Sequence, residues 1–182
     1  DKIINADEVI TMHDSPAAAV KTKKNSSIVI GAKLVKDKIA DAFVSAGNTG
    51  AMMTASTMIM GRIPGVGRPT IGAPLPSQTG VCMVYDVGAS VDCKPQHLLE
   101  YSIMGTIYFE EIFGKNNPTI ALLNVGEEES KGNELSKETY GLLKTSGLNF
   151  IGNAEGKDIL KGKADIVVCD GFTGNVLLKF AE

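Results

Sequence analysis

The segment Ala164-Asp165-Ile166-Val167-Val168-Cys169-Asp170-Gly171-Phe172-Thr173-Gly174-Asn175 holds the fold in miniature. Its β-branched apolar run predicts a strand, Gly-x-Thr-Gly a tight turn, and the apolar run from Val176 to Phe180 a helix. An earlier segment can be laid on it residue for residue: Ala40-Asp41-Ala42-Phe43-Val44-Ser45-Ala46-Gly47-Asn48-Thr49-Gly50-Ala51. Both read strand, turn, helix. Glycine permits a tight turn and a close backbone approach, and the first helical turn offers unpaired N–H groups at a positive dipole end. Thr49 and Thr173 can each cap the helix or donate a hydroxyl to an anion. Each turn therefore reads as an anion cradle without a P-loop lysine or as an efficient strand-to-helix turn with Thr as N-cap. Neither GxGxxG nor GxxxxGK occurs, so no standard nucleotide fingerprint supports a nucleotide.

Outward from these two copies, short β-rich runs alternate with longer helical ones. Strands are expected at Ala42-Phe43-Val44, Val81 to Tyr85, Thr119 to Asn124, Leu148 to Ile151 and Asp165 to Cys169. That alternation predicts an α/β domain with a largely parallel sheet. Ser15-Pro16 and Lys94-Pro95 place Pro at first helical positions. The second helix is expected to run to about Phe113 with Gly114 as its cap, packing a face of Leu98, Ser102, Gly105, Phe109 and Ile112 on the sheet. Gly61 to Gly80 reads as a long irregular connection of the kind that often binds ligands. Polar clusters at residues 45–50, 86–94, 126–133 and 170–175 each follow a strand, and in an open parallel sheet such loops share one ligand-binding edge. They are expected to meet.

The composition bounds the partners. The 182 residues, 43% hydrophobic and 21% charged, suit one globular domain, and a net charge of −3 offers no basic face for nucleic acid. No apolar stretch is long enough to span a bilayer, and no signal-peptide pattern opens the chain. The three cysteines, Cys82, Cys93 and Cys169, form no CxxC pair and fit a reducing cytoplasm, with Cys82 and Cys169 read as small buried hydrophobes. The chain opens on Asp1 and stops inside an apolar helical run, so it is expected to be a piece of something longer.

Among the remaining constellations, Asp86 to Lys94 brings two carboxylates, a hydroxyl and a lysine into one loop, where Lys94 suits an anion or a developing oxyanion. His97 reads as a proton carrier or a structural donor. Of Glu127-Glu128-Glu129, at least two are expected to be solvated, because adjacent side chains diverge. Lys131 with Asn133 can bind phosphate. A carboxylate there could take up magnesium, but no spacing specifies a metal and none is expected. Met52, Met53, Met58 and Met60 suit an irregular core or the wall of an acyl-chain pocket.

Six segments together carry a resemblance. Val44 to Ala51, Gly61-Arg62-Ile63-Pro64-Gly65, Asp92-Cys93-Lys94-Pro95, Asn124-Val125-Gly126-Glu127-Glu128-Glu129, Lys131-Gly132-Asn133-Glu134 and Val168 to Asn175 closely resemble, in order, the bacterial acyl-carrier-protein:phosphate acyltransferase family of phospholipid synthesis. The resemblance implies a three-layer α/β/α sandwich like that of isocitrate and isopropylmalate dehydrogenases and of phosphotransacetylase. It implies transfer of a long-chain acyl group from acyl-carrier protein to inorganic phosphate, the acyl phosphate then serving a membrane glycerol-3-phosphate acyltransferase. It further implies a cytoplasmic homodimer attached peripherally to the membrane through a helical hairpin absent from this sequence. Residues 1–182 then form one α/β domain, the central part of a longer chain lacking its amino- and carboxyl-terminal segments. Two positions depart from the family's pattern: Ser90 stands where Asn is common, and Gly67 where an acidic residue is.

For that chemistry, phosphate oxygen attacks a thioester carbonyl and expels a thiolate that leaves with little acid help, so the enzyme chiefly positions phosphate and stabilises the oxyanion. Phosphate is expected at Asn48, Thr49 and Gly50, charge stabilisation from Lys94, and Lys131, Asn133, Asp170, Thr173 and Asn175 around the reacting groups. Asp170 or His97 orients the nucleophile. Arg62 and Arg68, the only arginines, are the expected contacts for the acidic carrier protein. No cofactor is expected, phosphate being a substrate. Two other readings stand beside this one: a phosphotransacetylase-like transferase using coenzyme A, and a non-catalytic module that binds lipid or carrier protein.

Overall fold

The sheet lies wholly within residues 70–182. It has five strands, β1 (Gly72–Ser77), β2 (Gly80–Tyr85), β3 (Ile120–Leu123), β4 (Phe150–Ala154) and β5 (Ile166–Val168), in the spatial order β1-β2-β5-β3-β4. The last four strands run parallel, and β1 pairs antiparallel with β2. The computed structural model describes residues 3–182, and the chain divides into two compact units, Asp1–Pro69 and Thr70–Glu182.

In the second unit, alternate strand residues feed two cores, as the period of two requires. Ile120, Leu122, Ile166 and Val168 pack under α4 (Pro95–Phe113) and α5 (Glu134–Thr145), with Leu98, Tyr101, Phe109 and Leu143. Ala121, Val167 and Val84 face the other way, with Ile159 of α6 (Gly156–Lys161) and Leu177 and Leu178 of α7 (Gly171–Ala181). Helices thus cover both faces, giving the expected three-layer sandwich, and the central strands read as unbroken apolar runs because both of their sides are buried. Helix α4 starts at Pro95 and ends at Gly114 (φ 68°), as expected, and buries Leu98, Ser102, Gly105 and Phe109. Ile112 departs from that expectation: it is 60% exposed, lying beyond the sheet's reach.

Two further differences have physical causes. Within the connection expected to be irregular, Gly72–Ser77 forms β1. Pro74 and Pro76 lack an N–H, but on an edge strand that costs no ladder bond, and the pairing Leu75↔Cys82 holds the strand in register. Conversely, Ala42-Phe43-Val44 is not a strand. The first unit has no strand among its described residues beyond the isolated bridge Glu8↔Ser26, so this run has no ladder to join, and Val44 is 92% exposed.

The first unit is helical: α1 (Pro16–Thr22), α2 (Ser27–Lys36) and α3 (Thr49–Ala55), followed by a π-helical turn at Ser56–Met60. Ile10, Ala19, Val20, Ile28, Val29, Ala32, Ala51 and Ala55 form its core, with Met52 half-buried against it. Met58 and Met60 are about half exposed. Near α1, Asp14 accepts from Lys23 at 2.7 Å and from the Thr11 N–H at 2.6 Å, and these bonds hold its carboxyl down at about 2.

Candidate functional site

At the carboxyl edge of the sheet in the second unit, the loop after β3 and the start of α5 face the loop after β5 and the start of α7 across a cavity of about 410 Å³. Leu98, Leu122, Leu123 and Leu135 give it an apolar wall. Asn124, Asn133, Ser136, Asp170 and Thr173 give it a polar one. Three of the expected site residues, Asn133, Asp170 and Thr173, are therefore together.

Helix capping places these polar groups. Asn133 is the N-cap of α5, its Oδ1 accepting from the Ser136 N–H and hydroxyl, both at 2.9 Å. Asp170 is the N-cap of α7, accepting from the Thr173 N–H at 2.9 Å and from its hydroxyl at 2.7 Å. Thr173 is thus the third residue of the helix and the donor to the cap, where the sequence pattern had suggested the cap itself. In the first unit Asn48 caps α3, with φ 39° and its side chain accepting from the Ala51 N–H at 3.0 Å, while Thr49 is the first helical residue. Asn48 Nδ2 also donates to the Thr11 carbonyl at 2.8 Å. Short polar side chains take these positions because they tolerate the non-helical backbone and reach the orphan amides.

Beside α7, Asp86 is fully buried and gathers the loop that follows β2. Its carboxylate accepts from the N–H groups of Ala89 and Ser90 at 2.8 Å, Gly88 at 3.1 Å and Ile71 at 3.5 Å. Burial outweighs these four bonds and pushes its carboxyl above the usual range. The loop in turn seats the helix. Gly171 N–H donates to the Ser90 carbonyl at 2.8 Å, and a Cβ on Gly174 would lie 1.8 Å from the Asp86 carbonyl oxygen. Asn175 lies on this side, its side chain against Gly88, and not on the cavity. Ser90 joins loop and helix through its backbone, so its departure from the family pattern leaves this joint intact.

Lys94 is exposed at the N-cap of α4, and its N–H donates to His97 Nδ1 at 3.1 Å. His97 is therefore a capping residue, its Nδ1 accepting from the backbone at the start of the helix. Lys131 is exposed, with its carbonyl accepting from Asn124 Nδ2 at 3.1 Å. Glu127 and Glu129 pair with Lys163 and Lys144 at 2.7 and 2.9 Å, as expected of a solvated run. In the first unit, Arg62 donates to the Gly67 carbonyl, and Arg68 is half-buried. Burial raises all three thiols, Cys82 to about 12, the reverse of what a thiolate nucleophile requires. Asp86, Asn124 and the leucine wall were missed as site residues. Asp86 carried a signal, as the carboxylate that opens the polar loop directly after a strand, whereas Asn124 falls at the end of the expected strand Thr119 to Asn124.

The family model described as "Fatty acid synthesis protein" matches residues 2–182. The chain belongs to that family. Among curated members of similar sequence, the phosphate acyltransferase of Syntrophomonas wolfei is 54% identical over 182 residues, covering 99% of this chain and 57% of its own. That of Chlorobaculum parvum is 58% identical over 186 residues, covering 100% of this chain and 54% of its own. The chain thus spans about half the length of the curated relatives it matches. Among solved structures, the EutD phosphotransacetylase from Staphylococcus aureus superposes with a TM-score of 0.61 at 20% identity, over 86% of this chain and 55% of that one. A branched-chain phosphotransacylase from Enterococcus faecalis V583 gives 0.56 at 17% identity, over 84% of this chain and 62% of that one. These likenesses establish a shared α/β fold for this member of the fatty acid synthesis family.

Proposed function

We propose that this chain is part of an enzyme that moves a long-chain acyl group from acyl-carrier protein to inorganic phosphate. The observation that carries the reading is the 54 to 58% identity, over essentially the whole chain, to relatives named phosphate acyltransferase. In the reaction, an oxygen of hydrogen phosphate attacks the thioester carbonyl, the C–O bond forms, the C–S bond breaks, and the proton from phosphate ends on the departing thiolate. The products are acyl phosphate and free thiol.

Phosphate is assigned to Asn48, Thr49 and Gly50, and the developing oxyanion to Lys94. Lys131, Asn133, Asp170, Thr173 and Asn175 surround the reacting groups, with Asp170 or His97 orienting the nucleophile. Arg62 and Arg68 meet the acidic carrier protein. The enzyme is proposed to work in the cytoplasm as a homodimer held peripherally at the membrane, supplying a membrane glycerol-3-phosphate acyltransferase. Among the described residues no helix is long and apolar enough to cross a membrane.

Labelled phosphate mixed with acyl-carrier protein bearing a long chain should yield labelled acyl phosphate in the protein carrying this sequence. Product with acyl-coenzyme A alone would favour a phosphotransacetylase-like enzyme, and binding without product a non-catalytic module. Lys94→Ala should lower the rate by about 10²-fold or more with the fold retained, the scale of a lost oxyanion stabiliser. Near-normal turnover would remove Lys94 from the mechanism.

A further inference from the structure

The two walls of the cavity in the second unit differ in what they leave unsatisfied. On the polar wall, Asp170 spends both carboxylate oxygens on Thr173, and Asn133 spends its Oδ1 on Ser136. Among the described residues no lysine or arginine lines the cavity, and Asp170 sets a carboxylate against an incoming anion. Phosphate could approach Asp170 only as a donor, through the proton of hydrogen phosphate, and its other oxygens would exchange water for few donors there, so the cavity as a whole is not a phosphate cradle. The leucine wall has the opposite character. Leu98, Leu122, Leu123 and Leu135 come from α4, β3 and α5, so packing has gathered apolar side chains from three elements around open volume. A cavity of this size with an apolar wall and a few polar groups at one side suits an organic ligand whose alkyl part is buried and whose polar end stays at the polar wall.

We infer that this wall receives the alkyl chain of the acyl group, so that Leu135 is a specificity-determining residue for acyl chain length. The inference rests on the acyl transfer proposed above. The ligand chemistry is the chain itself, shared by carrier-protein and coenzyme A thioesters, with its carbonyl toward Asn133. Leu135 is the useful position because it is half-buried near the start of α5, whereas Leu98 and Leu122 are core residues. A larger ring there narrows the cavity, and a polar amide removes the gain from burying methylenes, about a factor of four in affinity for each.

In the protein carrying this sequence, the quantity to read is the ratio of kcat/KM for hexadecanoyl against butyryl thioesters, with both carrier-protein and coenzyme A donors. Leu135→Trp and Leu135→Asn should each lower that ratio by about tenfold or more with whichever donor is used, and Leu135→Met should restore it to within about twofold. If the Trp variant does not fold, the Asn variant gives the same reading. An unchanged ratio, or an equal loss for both chain lengths, would overturn the inference, the latter assigning the cavity to the part of the donor that does not vary. If the unsubstituted protein makes no acyl phosphate from any donor, the proposed function fails instead. Binding of hexadecanoyl against butyryl thioesters then decides the cavity: a preference of about tenfold or more that Leu135→Trp abolishes supports it, and equal binding of the two thioesters ends it.

Discussion

The two Gly-x-Thr-Gly turns share three residues and almost nothing of their surroundings. In the second, both glycines are required by packing: a Cβ on Gly171 would come within 2.6 Å of the Ser90 carbonyl oxygen, and one on Gly174 within 1.8 Å of that of Asp86. Its threonine hydroxyl is spent on Asp170. In the first, a Cβ on Gly47 would meet nothing within 4 Å, and one on Gly50 would meet side chains alone, Pro16 at 2.8 Å and Asn48 Oδ1 at 3.5 Å. Thr49 is exposed, and its hydroxyl makes no hydrogen bond to another described residue. The same motif is therefore a joint between α7 and the Asp86 loop in one place and a turn with spare bonding capacity in the other. Shared sequence identifies a shared turn, and only the neighbours show what the glycines are for.

The largest expected effect separates the two turns by stability. Alanine in a helix normally gains up to about 1 kcal/mol over glycine, but at Gly174 the backbone clash reverses the sign, and Gly174→Ala should cost about 3 kcal/mol or more in urea unfolding. Gly47→Ala should be neutral or stabilising by up to about 1 kcal/mol, since φ there is not left-handed and the unfolded chain loses freedom. Equal losses at the two sites would erase the distinction.

Next in size, Asp86→Asn turns one carboxylate oxygen into a donor facing donors, most directly the Ser90 or Ala89 N–H. A loss of about 2 to 3 kcal/mol is expected, that of a buried bond to a charged group. Chemical denaturation measures it, and a variant as stable as the parent would show that the loop holds without this carboxylate. Smaller still, Thr173→Val should cost about 1 kcal/mol by removing the hydroxyl from the Asp170 cap, whereas Thr49→Val should stay within about 0.5 kcal/mol.

The smallest effect is a pH dependence confined to the first unit. Asp14 titrates near 2 in the folded chain against 3.8 as its ordinary value, so its folded pKa is depressed. Its contribution is complete above pH 3.8 and is lost as pH falls through about 2. The difference in stability between the parent and Asp14→Asn should shrink over that window, and a difference independent of pH would show that the Lys23 pairing does not stabilise the fold.

Most of the second unit was legible because its signals are local. Pro95 and Gly114 bracket α4, and the runs around β2, β3 and β5 are buried on both faces. β4 was placed slightly early, at Leu148 to Ile151 instead of Phe150–Ala154, where its register with β3 shifts. β1 was hidden by Pro74 and Pro76, whose cost disappears only at an edge that topology creates. Ala42-Phe43-Val44 has strand composition without a strand to pair with. The polar side of the cavity could be read from capping residues after strands. Its apolar side could not, since Leu98, Leu122 and Leu135 are distant in sequence and look like any core leucines until three elements bring them together.

The claim that the first turn keeps its bonding capacity for phosphate is tested most directly by the phosphate dependence of Thr49→Val. The account predicts a KM for phosphate raised about tenfold or more, the worth of one hydrogen bond to a charged group, with the unfolding midpoint essentially unmoved. An unchanged KM for phosphate at unchanged stability would contradict it.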